Sequence, residues 1–355
     1  MRIAFIRVHK DPTKGQSSVA KESSSSKGLI AELVRLGVAE SAEEWRFSAA
    51  APNDAGAGLL PGRSFGMSGS TGLREYVQSA GAPDIVWVEG SNLPAHLHEA
   101  FDLCPSSLKI VYSKDWKPQK IEGLASYDLC LVDEDWQVEK LAQQGVRAAV
   151  WDKLIDYDGT HRPIESEKRY DICYVAYLRR RKHHELLFRS MAKVRDRALT
   201  CVCVGGDPDG RLDELQALVA ELGIAVEFVG DVSKAEVNRY VNESRIGVIC
   251  ACEDAGPRAL LEYMAADVPV LVNAELLAGA RYAGARGGLV RSPDDFHTGI
   301  SEMLDSIDSY APRDHLLALF SRERVVEKFV AILRDASAAA GKDISIPALS
   351  GSGAG

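Results

Sequence analysis

Between Cys250 and Val272 the chain reads CACEDAGPRALLEYMAADVPVLV. An apolar strand runs into an acidic turn. A glycine and a proline then open a helix that carries a glutamate, and a second apolar strand follows. Seven residues separate Asp254 from Glu262, so one carboxylate lies in the loop ahead of the helix and the other inside it. Pro257 suits the first helical position, where a missing N–H costs nothing. Just past Gly256, the amides of Arg258, Ala259 and Leu260 then lack partners within the helix. With the positive end of the macrodipole behind them they form an anion site. Two carboxylates beside an anion site suit a hydroxyl-rich molecule that also carries phosphate, such as a nucleotide sugar. The plainer alternative is that Arg258 and Glu262, spaced i, i+4, pair on a helix surface, and that Asp254 is only a helix-entry residue.

Two further segments could act on phosphate. Arg179-Arg180-Arg181-Lys182-His183-His184 follows the apolar run Asp171–Tyr177 and opens a helix, a place suited to phosphate oxygens or, equally, to a solvated charged loop. Cys201-Val-Cys-Val-Gly205-Gly206 ends in glycines that permit close backbone approach.

Taken together these segments resemble the donor-binding signature of the retaining glycosyltransferases of family 4. There an acidic residue, seven spacers and a glutamate are followed by A-x-G-x-P-V. This chain has Asp254-Ala-Gly-Pro-Arg-Ala-Leu-Leu-Glu262 and then Ala265-Ala-Asp267-Val-Pro269-Val. Asp267 replaces the usual glycine, and either Glu253 or Asp254 fills the first acidic position. The stretch Val175-Ala-Tyr177-Leu-Arg-Arg-Arg-Lys182-His183 matches V-G-R-L-x-x-x-K, keeping the lysine but placing Tyr177 where the arginine stands, with Arg179 or Arg181 as replacements. Phe228-Val-Gly230-Asp-Val232 matches the segment near the nucleobase, and Gly287-Gly288-Leu-Val a later element. The resemblance covers about residues 169–310.

What the resemblance implies is a GT-B fold and retaining transfer from a nucleoside diphosphate sugar to a hydroxyl-bearing acceptor (a glycan, a lipid-linked saccharide or a small molecule). It implies no metal and no further cofactor. Lys182, Asp254 and Glu262 would be the catalytic set. Arg179, Arg181, Gly205, Gly206, Val232, Gly256, Arg258, Ala259 and Leu260 would complete the donor site. In the N-terminal half, Gly15 after the first strand, Glu89 at a strand end and Asp115 are acceptor-side candidates, while the histidine that the family places near the reacting sugar is missing from Ser113-Lys114-Asp115-Trp116. A nucleotide-sugar epimerase, and a nucleotide-sugar-binding protein without turnover, are the alternatives.

The net charge of -9 argues against a general nucleic-acid binder. The N-terminal MRIAFIRVHK is too brief for a signal peptide, and no run reaches the roughly 18 apolar residues of a membrane span, so a cytoplasmic protein is expected. Seven cysteines, an odd number mostly in strand-like runs, fit buried thiols better than disulfides or a metal cluster.

The elements that must hold these residues alternate along the chain. Ile3–Val8, Asp84–Glu89, Lys109–Tyr112, Asp128–Asp133 and Ala148–Trp151 read as buried parallel strands, with helices at Lys27–Leu36 and Trp136–Gln144. A second series follows: strands at Asp171–Tyr177, Thr200–Gly205, Val226–Val229, Ile246–Cys250 and Pro269–Asn273, with intervening helices at His183–Val194, Leu212–Leu222 and Lys234–Val241, and late helices at Asp294–Ser306 and Arg322–Asp335. The pattern predicts an α/β protein of two doubly wound parallel-sheet domains, 1–158 and 166–318, facing a cleft. Residues 319–335 form a helix returning toward the first domain. Asp156–Glu167 reads as a linker, Ala49–Ser70 as a long flexible loop, Ser23–Ser26 as a polar loop, and 337–355 as a disordered tail.

Overall fold

The computed structural model describes residues 1–7, 24–48, 59–66, 71–90, 95–113, 117–121 and 123–347. Two compact units result, Met1–Leu154 with Arg322–Gly355, and Ile155–Ser321. The first contains β1 (Arg2–Arg7), α1 (Ser25–Arg35), β2 (Ser41–Ser48), β3 (Gly62–Gly66), α2 (Thr71–Ala80) and β4 (Ile85–Glu89). It continues through α3 (Ala95–Leu103), β5 (Leu108–Tyr112), β6 (Leu129–Val132), α4 (Asp135–Ala142) and β7 (Ala148–Val150). The second contains β8 (Tyr170–Val175), α5 (His184–Lys193), β9 (Thr200–Val204), α6 (Leu212–Leu222), β10 (Ala225–Val229), α7 (Lys234–Asn242) and β11 (Ser244–Ile249). Then come α8 (Arg258–Ala265), β12 (Val270–Asn273), α9 (Gly284–Gly287), β13 (Gly288–Arg291), α10 (Phe296–Asp305) and α11 (Pro312–Phe320). The last helix, α12 (Arg322–Ala339), belongs to the first unit.

Both sheets are parallel among the described residues. Their orders are β3-β2-β1-β4-β5-β6-β7 and β10-β9-β8-β11-β12-β13. Each reverses direction beside its first strand, at β1/β4 and at β8/β11, the doubly wound pattern in which ligands bind beyond the strand carboxyl ends. The central strands read as unbroken apolar runs because helices cover both faces: β4 (IVWVE) and β12 (VLVN) are buried throughout. The seven cysteines are free, and all but Cys252 are fully buried.

Several expectations need correction. The region read as a loop from Ala49 to Ser70 contains the edge strand β3, paired with β2 from Glu44↔Gly62 to Ser48↔Gly66. Its one strong apolar residue, Phe65, packs on Trp45 and Phe47, a signal diluted by the surrounding Gly, Pro and Ser. Residues 49–58 and 67–70 lie outside the described residues. In the expected Ser23–Ser26 loop, Ser24 caps α1 by accepting from the Lys27 amide at 3.1 Å, and Ser25 and Ser26 are buried helical residues. Of the expected disordered tail 337–355, the part to Ala339 is helical, and residues 348–355 lie outside the described residues. The continuation past Ala339 is held by the Arg334 guanidinium on the Ile346 and Pro347 carbonyls and by Ser337 on the Lys342 carbonyl.

The expected linker Asp156–Glu167 is an ordered strap. The Asp156 carboxylate accepts from the Gly159 and Thr160 amides at 3.0 Å, closing a tight turn. Beyond it, Asn238 and Asn242 of α7 bond the Arg162 and Ile164 backbone, and Lys168 donates to the Asn242 and Ser244 carbonyls. From the other side the Arg313 guanidinium of α11 holds the Tyr157 carbonyl at 3.0 Å and the Ala265 carbonyl at the end of α8. A run of polar residues was ordered by the helices it crosses.

Candidate donor site

The loops after β8 and β11 leave the sheet where strand order reverses, and they carry the predicted phosphate-binding and acidic residues. Within this gap the ladder between β8 and β11 stops at Gly247↔Cys173. Just past this point, the Tyr263 hydroxyl of α8 accepts from the Val175 amide, two residues on along β8, at 2.6 Å and donates to the Cys173 carbonyl at 3.1 Å. The Tyr263 ring occupies the space above Gly247, where an added Cβ would collide with it. This buried contact fixes α8 against β8, and so fixes the two loops against each other.

The loop after β8 turns through a 3-10 segment, Arg180–Lys182, to His183, which adopts the left-handed region at φ 53°. Its shape is held by the Tyr174 hydroxyl donating to the Lys182 carbonyl and by the Leu178 amide on Gly206 O at 3.0 Å. Gly205, at φ 148°, leaves no room for a Cβ against the Ala176 carbonyl, and the Gly206 amide donates to Asp231 Oδ1 at 3.2 Å. The paired glycines therefore let the loops after β8, β9 and β10 meet. Val232 lies half-buried in the last of these, just before α7.

Lys182 Nζ forms an ion pair with Asp254 Oδ2, and Arg181 Nη1 lies 3.8 Å from the same oxygen. Arg181 also approaches the Glu253 carbonyl at 3.4 Å while the Glu253 side chain is exposed. Of the two neighbouring acids, Asp254 is the one that faces the cations. Arg179 goes elsewhere, 3.9 Å from Asp209 and over the half-exposed Tyr177 ring. With Arg180, Arg181, Arg211, Asp209 and Glu214 it lines a pocket of ≈ 380 Å³. Arg181 is thus the arginine that joins Lys182.

Helix α8 begins one residue later than expected. Pro257, at ψ 121°, is the cap and Arg258 the first helical residue. The Leu260 amide is taken by the Pro257 carbonyl at 3.2 Å, and the Leu260 side chain is buried in the core. The expected trio of unpaired amides is therefore reduced. Gly256, at φ 66°, reverses the chain into this cap against Gly279, whose added Cβ would sit 2.9 Å from the Gly256 Cα. Ala259 follows Arg258 in the first turn, half-buried. Arg258 Nη2 is 3.4 Å from Glu262 Oε1, the helix pairing named as the plainer alternative. That same oxygen is also met by His161 Nε2 at 3.5 Å. Burial pushes the His161 imidazole below its ordinary range, Arg258 and Lys234 push the same way, and Glu262 and Asp156 oppose them.

His161, Lys234 and Tyr263 are the residues that sequence reasoning missed. His161 sits in a polar run with no motif, and only the fold of the strap brings it to Glu262. Tyr263 was legible in principle, as an aromatic flanking the signature glutamate on the inner helix face. Asp267, the replacement for the family glycine, takes the left-handed conformation at φ 60° and accepts from the Arg313 amide at 3.1 Å.

In the first unit Glu89 is buried at the end of β4, paired with Arg7 at 3.1 Å across the β1–β4 ladder. Nearby strand ends carry a second buried set, Lys153 at 3.0 Å from Asp133, which accepts from Tyr112 at 3.2 Å. Gly15 and Asp115 lie outside the described residues.

Residues 169–306 match the family model described as Glycosyl transferases group 1. That segment, under half of the chain, is similar to a glycosyl transferases group 1 domain. It spans β8 to α10 and so holds every donor-side residue expected from the sequence, while His161 lies just ahead of it. Over 173 residues the chain is 26% identical to the GDP-Man:Man(3)GlcNAc(2)-PP-Dol alpha-1,2-mannosyltransferase of Xenopus laevis, covering 45% of this chain and 34% of that protein. The chain spans about a third of the length of the curated relatives it matches. Among solved structures, sucrose-phosphate synthase from Thermosynechococcus elongatus is similar over 95% of this chain and 99% of that one, with a TM-score of 0.70 at 16% identity. Anabaena HepE in complex with UDP and glucose is similar over 94% and 100%, with a TM-score of 0.68 at 14% identity. The fold is the GT-B fold of these transferases. No helix among the described residues is long and apolar enough to cross a membrane.

Proposed function

We propose that the glycosyl transferases group 1 domain binds a nucleoside diphosphate sugar, and that the protein transfers the sugar to an acceptor hydroxyl with retention and without a divalent metal. The observation that carries this reading is the meeting of Lys182 and Arg181 with Asp254 at the strand-order reversal. Two fixed cations stand there beside a carboxylate, at the strand ends where this fold class takes its ligands. The developing negative charge falls on the leaving diphosphate. Lys182 and Arg181, preorganised by the turn after β8, stabilise it as the glycosidic bond breaks. When diphosphate oxygens engage Lys182, Asp254 is released to accept from sugar hydroxyls and to orient the donor. Glu262, one turn into α8, accepts from the ribose hydroxyls. The acceptor hydroxyl attacks from the same face that the diphosphate leaves, and its proton passes to the departing phosphate.

The test is a panel of UDP, GDP, ADP and dTDP sugars, scored for binding, hydrolysis and transfer, with the product anomer read by NMR. The reading expects one donor class to bind, slow hydrolysis without acceptor, and an anomeric configuration that is kept. Isomerisation of the free donor would instead identify an epimerase. Binding with neither hydrolysis nor transfer would favour a binding protein, an outcome that Tyr177 at the arginine position makes worth scoring.

A further inference from the structure

The strap Ile155–Arg169 does more than join two units. Its Asp156 turn sets the backbone so that the His161 amide donates to the Asp156 carbonyl at 2.9 Å, and the imidazole is buried against α8. Clamps on both sides, Asn238 and Asn242 from α7 and Arg313 from α11, leave the strap little freedom to shift. At the end of this construction Nε2 stands 3.5 Å from Glu262 Oε1, the oxygen that Arg258 also meets. The carboxylate is thus approached by the protein on two sides, from the strap and from the first turn of α8, and both approaches are to Oε1.

We propose that His161 is a positioning residue that fixes the Glu262 carboxylate so that Oε2 receives the vicinal hydroxyls of a ribose. This rests on the reading of the domain as a nucleoside diphosphate sugar site. A carboxylate only accepts hydrogen bonds, so the imidazole presents Nε2–H to it. Its depressed basicity keeps the ring neutral near pH 7, so it holds Glu262 without cancelling its charge. A glutamate pinned at one oxygen loses little freedom on binding. One left to swing between Arg258 and solvent must be ordered by the ligand, which weakens recognition.

The experiment compares UDP, GDP and ADP with their 2′,3′-dideoxy forms by calorimetry on the full chain. The wild-type protein is expected to bind one ribose diphosphate about tenfold more tightly than its dideoxy form, the scale of one well-formed hydrogen-bonded pair. In His161→Asn, whose amide is too short to reach Glu262, that preference is expected to fall below about threefold. In His161→Gln, which reaches the position of Nε2, most of it returns. His161→Ala serves as a third variant, and a thermal melt confirms that each one is folded. A merely structural role would weaken both nucleotide forms equally and leave the preference unchanged in His161→Asn, which would overturn the proposal. If the wild-type protein binds a ribose diphosphate with no preference over the dideoxy form, the Glu262 role fails and the proposal with it. If it binds no nucleoside diphosphate at all, the donor-site reading itself is what fails.

Discussion

At the scale of single residues, the site depends on charges placed by turns. Lys182 is bound at its carbonyl by Tyr174 and at its ammonium by Asp254, so its position is set before any ligand arrives. Asp254→Asn should therefore leave the protein folded, since a half-buried amide can still bond Lys182, but should lower turnover at least tenfold by removing the charge proposed to orient the donor. Steady-state kinetics on the preferred donor would check this. Glu262→Ala should raise the donor KM more than it lowers kcat, because the proposed ribose contact would be made in ground state and transition state alike.

His184, two residues past Lys182, behaves differently. Its ring is fully buried against Tyr174 at 4.6 Å, and neither nitrogen has a hydrogen-bond partner among the described residues. Burial, then Arg211 and Lys182, push its pKa down to about 3. The unfolded chain takes up a proton near pH 6.5 that the folded chain refuses, so stability is full above that pH and declines as pH falls toward 3. The slope is about 1.4 kcal/mol per pH unit for one such group. His184→Phe, which keeps the stacking and removes the nitrogens, should gain on the wild-type protein by that increment per unit below pH 6.5. Urea unfolding at pH 7, 6 and 5 reads it directly, and a pH-independent difference would refute it.

Among elements, α8 is the piece on which the site is hung. The Tyr263 hydroxyl replaces a missing rung between β8 and β11, so Tyr263→Phe leaves a buried N–H and C=O unpaired. A cost of about 1–3 kcal/mol in unfolding free energy is expected, with reduced activity because the loops after β8 and β11 lose their common anchor. At the other end of α8, Asp267 tolerates a positive φ that β-branched residues do not. Asp267→Gly should be near neutral and Asp267→Val should cost about 1–2 kcal/mol. Here the sequence was most legible. Buried parallel strands read as continuous apolar runs, and Lys182, Asp254 and Glu262 lie in the loops and helix that follow β8 and β11, as their spacing predicted. What stayed hidden was set by contacts across the fold. Phe65 alone marked β3, and helices α3 and α11 lay in segments with no strong period. The strap 155–169 looked like a linker because its order comes from Asn238, Asn242 and Arg313, which are far away in sequence.

On the scale of the whole chain, α12 ends the sequence of elements by returning to the first unit. Phe329 stacks on Trp87 of β4 at 5.0 Å, Trp151 lies edge-on to Trp87 at 5.8 Å, and Lys328 pairs with Asp152 at 2.9 Å. Phe329→Ala should cost about 3–5 kcal/mol, seen as a lower melting temperature for the first unit. Removal of residues 322–355 should expose the Trp87 face and make the protein aggregate. In the proposed chemistry the cations that take up the leaving-group charge belong to the chain itself, so transfer should survive a chelator such as EDTA, and loss of activity reversed by a divalent ion would contradict it.

The most direct test of the donor-site assignment is calorimetric titration of UDP, GDP, ADP and dTDP into the wild-type protein and Lys182→Ala. One diphosphate should bind the wild-type chain and bind the variant about a hundredfold more weakly, the scale of a lost charge-assisted hydrogen bond in a half-buried site. An unchanged affinity in a folded Lys182→Ala protein would contradict the account.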